Sequence, residues 1–163
     1  MEQYLVTSKD ALNFTLISNN QNAGALIYKK WYSFDAEIVM ADNSKYVLEP
    51  KGFWDSKIEL KKNDKILLEF KMGWKGIVIK TFFDNKEEVF LLKMKGLLKS
   101  QFVLASADLQ ELLVAEADFQ WSKFNYDYTI KTFNDFEKFD NKDLLILTTL
   151  HCINYYMTII IAS

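Results

Sequence analysis

The sequence predicts a mainly β protein, a closed antiparallel β-barrel of about ten to twelve strands with a buried hydrophobic C-terminal α-helix. Three observations predict it. Apolar residues recur with a period of two from Leu12 to about Lys131, turn signals interrupt them at short intervals, and beyond Phe139 the run Leu144 to Ala162 is almost unbroken apolar. An open sheet of so many strands would leave two exposed edges, and a single helix could not cover its apolar face. Closing the sheet around the helix removes both difficulties.

The turn signals are Asn19-Asn20-Gln21-Asn22-Ala23-Gly24, Asp42-Asn43-Ser44, Asn63-Asp64, Gly73-Trp74-Lys75-Gly76, Asp84-Asn85 and Ser106-Ala107-Asp108. Between them, Ile66, Leu68, Phe70 and Met72 alternate with Glu69 and Lys71, and Phe90, Leu92 and Met94 with Leu91, Lys93 and Lys95. Leu113, Ala115, Ala117 and Phe119 oppose Val114, Glu116 and Asp118. The cleanest strand puts Phe124, Tyr126, Tyr128 and Ile130 on one face, with Asn125, Asp127, Thr129 and Lys131 on the other. Strands are expected over residues 4–133 and a core helix over 141–161. Asp140 is the expected N-cap, with Asp143 as an acid in the first turn. Thr148, His151, Asn154, Tyr155 and Thr158 form a thin semi-polar stripe along the helix. A helix of this length, roughly 30 Å, fits a barrel axis, a bilayer or an interface. The imidazole and amide near its middle are costly in hydrocarbon, which favours the barrel axis over a tail anchor.

At 163 residues, without a linker or a composition shift, the chain reads as one domain, 1–163. Its net charge of -2 gives no general attraction to nucleic acid, and no nucleic-acid partner is expected. All 20 basic residues are lysines, so the planar fork that grips phosphates bidentately is missing. Cys152 is the lone cysteine and Met1 to Thr7 lacks the features of a secretion leader, so a cytoplasmic, reducing setting is expected, with peripheral attachment to membrane open to it.

No residue cluster carries a catalytic, metal or nucleotide signature, and the reading is non-enzymatic, without cofactor or metal. His151 and Cys152 stand about 100° apart on the helix and do not face each other; a lone histidine there reads as a hydrogen-bonded core residue. Glu87-Glu88 and the pair Glu116 and Asp118 read as solvated. The ligand patch comes from lysines: Lys93 and Lys95 on one strand face, Lys99 close behind, and Lys29 and Lys30 before Trp31 and Tyr32. Lysines beside aromatic rings suit the boundary where rings sit and cations meet lipid phosphates. Trp31, Trp54 and Trp121 read as core or rim packing, whereas Trp74, in a tight turn between two glycines, is the tryptophan expected in solvent.

Three segments carry a family resemblance. They are the strand pair around Gly24-Ala25-Leu26-Ile27-Tyr28-Lys29-Lys30-Trp31, the late Phe119-Gln120-Trp121 with Tyr126-Asp127-Tyr128-Thr129-Ile130, and the helix Leu144 to Ala162. In this order they resemble the tubby C-terminal-like superfamily, which includes tubby domains, LURP-one-related proteins and phospholipid scramblases; in size the chain is similar to the LURP-one-related members. The resemblance implies a twelve-stranded barrel around an apolar helix. In that superfamily tubby domains bind head groups with lysine and arginine together and scramblases are proposed to act with calcium near a barrel end, but neither function carries over residue by residue, since this chain has no arginine and no Asp-rich loop of EF-hand spacing. The expected function is therefore binding, of anionic membrane lipid head groups or a protein partner, on the outside or at the rim. A lipocalin-type carrier is the alternative, although Gly52-Phe53-Trp54 stands mid-chain where that family has its Gly-x-Trp near the first strand. A tail-anchored membrane protein is a second alternative. The oligomeric state is left open.

Overall fold

A computed structural model describes residues 1–30, 33–52, 57–96 and 101–162, with helix side chains described as far as Ile159. Among the described residues, twelve strands form one closed antiparallel barrel in which each pairs with the next and the last pairs with the first. They are β1 (Glu2–Ser8), β2 (Asn13–Ser18), β3 (Gln21–Tyr28), β4 (Ala36–Met40), β5 (Lys45–Lys51) and β6 (Lys57–Lys62). The ring continues with β7 (Lys65–Gly73), β8 (Gly76–Thr81), β9 (Glu88–Lys95), β10 (Gln101–Ser106), β11 (Glu111–Gln120) and β12 (Asn125–Thr132). The helix α1 (Lys142–Ala162) follows. Closure is made by β1 on β12, with Glu2 opposite Thr132 and Val6 opposite Tyr128.

The inner wall is apolar: Tyr4, Leu16, Leu26, Ile38, Leu48, Leu60, Phe70, Ile79, Leu92, Leu113 and Ile130 are all buried, and Phe70, Leu92, Leu113 and Ile130 lie on the faces that the alternation predicts. Inside it runs α1. Every residue from Leu144 to Ile153 is buried, which a helix achieves only when surrounded on all sides. Six of these are Leu or Ile, and their burial contributes on the order of 10 kcal/mol. Gly24 on β3 lets the helix come close, since a Cβ there would stand 2.8 Å from the Leu147 side chain and 3.1 Å from the Val39 carbonyl.

Three β-bulges interrupt the period of two, between Leu16 and Ile17, Leu60 and Lys61, and Leu104 and Ala105. The second turns Ile66 outward, away from the face of Leu68 and Phe70 with which it was expected, and the third puts both Leu112 and Leu113 inside. Phe124 also departs from expectation. Its φ of 50° places it in the turn before β12, exposed, because the reversal needs a left-handed residue there. At the start of α1, the Leu145 N–H donates to the Asn141 carbonyl, so Asn141 holds the cap position expected of Asp140.

The barrel has two mouths. At the lower one α1 enters and the connections β2–β3, β4–β5, β6–β7, β8–β9 and β10–β11 lie; at the upper one α1 ends and the remaining connections lie. The lower end of the helix is held through Glu137, whose carboxylate accepts from the Tyr4 hydroxyl at 3.2 Å, from Lys142 Nζ at 2.6 Å and from the Thr132 hydroxyl.

Candidate functional site at the upper mouth

Towards the upper mouth the semi-polar stripe of α1 meets two wall tyrosines. Tyr128 donates to Asn154 Oδ1 at 2.7 Å, and Asn154 Nδ2 donates to the Tyr28 hydroxyl at 3.1 Å. Tyr28 therefore has its own proton for His151 Nδ1, 2.8 Å away, which leaves the imidazole proton on Nε2. That second nitrogen has no hydrogen-bond partner among the described residues, so the expected pairing of both nitrogens is met at one of them. Burial pushes the His151 pKa down to about 3 and pushes Tyr28 and Tyr128 up, so all three are neutral at pH 7. Burial likewise raises the Cys152 thiol well above its ordinary value. The group orients α1.

The surface above it is different in kind. Trp74 is 94% exposed, Trp121 77% and Phe124 76%, and all three stand in turns at this mouth, where Ile159 near the end of α1 is also exposed. The β7–β8 turn projects Trp74 outward because it has only two residues between the paired Gly73 and Gly76. Gly76 has a φ of +141°, and a Cβ there would fall 2.2 Å from the Leu92 carbonyl oxygen, so no other residue fits. Lys75 Nζ stands 5.7 Å from the centroid of the Trp74 ring. Across the mouth, Trp121 meets Phe119 edge to face at 5.0 Å. Lys123 donates to both oxygens of Asp127 at 3.0 Å, and Asp127 also accepts from Ser8. Burial alone would raise the Asp127 pKa; the Ser8 N–H and Lys123 outweigh it and lower the net value.

Of the lysines named from sequence, the described ones, Lys29, Lys30, Lys93 and Lys95, lie at strand ends towards this mouth without forming one patch. Lys29 and Lys30 follow the end of β3, while Lys93 and Lys95 close β9. These strands are six apart in a ring of twelve, hence on opposite walls. Lys95 is paired with Glu111 at 2.9 Å, and Glu116 accepts from Gln101 at 2.7 Å. Lys99, Trp31 and Trp54 lie outside the described residues. The exposure of Trp121 and Phe124 was not anticipated; the small polar residues of Trp121-Ser122-Lys123-Phe124-Asn125 are the signal for a turn that could have shown it.

Comparison with family models, curated proteins and solved structures yields no match. Among the described residues no helix is long and apolar enough to cross a membrane.

Proposed function

We propose that this chain is a non-enzymatic binding domain that docks on phospholipid head groups through its upper mouth, as a peripheral protein of the cytoplasmic membrane face. The observation that carries the reading is the set of exposed rings, Trp74, Trp121 and Phe124, at the end of the barrel where Lys29, Lys30 and Lys75 also stand. Indole rings partition to the boundary between water and acyl chains, and lysines spread around a rim meet anionic head groups as point charges without needing arginine. A reversible, salt-sensitive attachment follows. The twelve-stranded barrel with an apolar helix on its axis is the architecture that the resemblance to the tubby C-terminal-like superfamily implies. The same filled axis argues against the lipocalin-type carrier, since Leu144 to Ile153 occupy the space a carried molecule would take.

Vesicle flotation tests the reading. Wild-type chain is expected to float with vesicles containing phosphatidylserine and far less with phosphatidylcholine alone. Trp74→Ala with Trp121→Ala should reduce the bound fraction about tenfold without loss of folding, and Lys29→Glu with Lys30→Glu should weaken it less. Failure of the wild-type chain to float would overturn the lipid reading and leave a protein partner as the occupant of the surface. Flotation that survives the tryptophan changes would move the site away from the upper mouth.

A further inference from the structure

The lower mouth holds a recess that the proposed docking surface does not use. Its volume is about 390 Å³, in the range of small-molecule pockets. Phe83, Phe90 and Phe139 give it an aromatic lining, the last two meeting edge to face at 5.7 Å. Four carboxylates line it, Asp84, Glu88, Asp135 and Asp140, against two lysines. Both lysines are already engaged, Lys86 with Glu88 at 2.8 Å and Lys138 with Asp135 at 2.6 Å. Asp84 and Asp140 have no ion-pair partner among the described residues, so four negative charges less two positive ones leave the recess at -2.

At its inner end stands Thr81, the last residue of β8. It faces inward, is 1% exposed, and its Oγ1 has no hydrogen-bond partner among the described residues. A buried hydroxyl is seldom left unpaired, and a polar group of a bound molecule would satisfy it.

The charge surplus repels phosphates and carboxylates. No group of three His, Cys, Asp or Glu among the described residues is placed to hold a metal ion. Aromatic faces beside surplus carboxylates are instead what an organic cation requires, because ring quadrupoles and carboxylates both attract it and the rings replace water around its alkyl groups. We infer that this recess binds a small organic ammonium ion with a neighbouring hydroxyl, its cationic head between the phenylalanines and Asp84 and Asp140, its hydroxyl on Thr81.

Amide chemical-shift titration of the full chain with choline tests this, with 3,3-dimethylbutan-1-ol as the neutral molecule of the same shape. Choline should give saturable shifts confined to residues 81–90 and 135–145, and the neutral alcohol should not. Asp84→Asn with Asp140→Asn should weaken choline at least about tenfold; the first change keeps the turn, since at a φ of 52° asparagine is as acceptable as aspartate. Thr81→Val should weaken it a few-fold, and Trp74→Ala at the other mouth should leave it unchanged. No saturation by about 50 mM choline, an equal response to the neutral alcohol, or unchanged affinity in the double variant would each overturn the site. Phosphocholine should bind more weakly than choline; tighter binding would point to a lipid head group and overturn the free-cation assignment.

Discussion

The two mouths hold the same helix by different chemistry. At the lower mouth the fastening is ionic and half-exposed: Glu137 gathers Tyr4, Thr132 and Lys142. At the upper mouth it is neutral: Tyr128, Asn154, Tyr28 and His151 pass hydrogen bonds along a chain with no charged member. The surfaces differ in the same sense, acidic residues around the lower recess and exposed rings around the upper rim. An ionic fastening tolerates water and is weakened by salt; a neutral one depends on burial and packing. One apolar axis thus joins an ionic end to a neutral end below a rim of exposed rings.

The largest test removes what the mouths share. Deleting residues 140–163 should abolish cooperative unfolding and near-ultraviolet circular dichroism, because the inner wall then has nothing to pack on. A deleted chain that still melts cooperatively would mean that the barrel stands without its axis, and the comparison would lose its basis.

Acid should then separate the two fastenings. His151 has a folded pKa lowered by burial to about 3, so between its ordinary 6.5 and about 3 the unfolded chain binds the extra proton and stability falls as pH falls, by a few kcal/mol in all (~1.4 per unit). Burial alone would raise the Glu137 pKa, but Lys142, Thr132 and Tyr4 outweigh it and lower it. Its contribution is therefore complete above the ordinary carboxylate value of 4.5 and is lost only below it. Urea titrations across this range should show the upper fastening weakening first. His151→Phe should flatten the slope between pH 6.5 and 5, and Glu137→Gln should leave that slope intact; the reverse pattern would refute the assignment of windows to mouths.

The smallest test compares two hydroxyls. Tyr28→Phe leaves His151 Nδ1 buried without its partner and takes the acceptor from Asn154 Nδ2, and should cost about 2 kcal/mol by denaturant unfolding. Tyr4→Phe leaves Glu137 with Thr132 and Lys142, so its cost should be about 0.5–1 kcal/mol. Equal costs would erase the distinction between the neutral fastening and the ionic one.

The barrel was legible in the sequence because its signal is local. Alternation in Tyr126, Tyr128 and Ile130, and the apolar run from Leu144, record burial residue by residue. Ile66 and Leu112 escaped because a bulge shifts parity without leaving a distinctive residue behind. The fastenings escaped because their members are remote in sequence: Tyr28 and His151 are 123 residues apart, and Tyr4 and Glu137 are 133. The lysines were legible as residues but not as a surface, since only closure of the ring sets Lys29 and Lys93 on opposite walls of one mouth. Trp74 could be placed because Gly73 and Gly76 bracket it; Trp121 had no such glycines.

The position of α1 in the chain imposes an order on biosynthesis. A ribosome delivers all twelve walls before their contents. At roughly 5–20 residues per second, about a second or more of translation separates the emergence of β12 from that of the whole helix. During that interval the inner faces are made but have nothing to enclose, and β1 and β12 are free to pair with other chains instead of each other. Nascent barrels of this kind are expected to depend on chaperones that hold apolar strands apart until the helix arrives, so a pause in translation just before residue 142 should be more damaging to yield than one placed earlier.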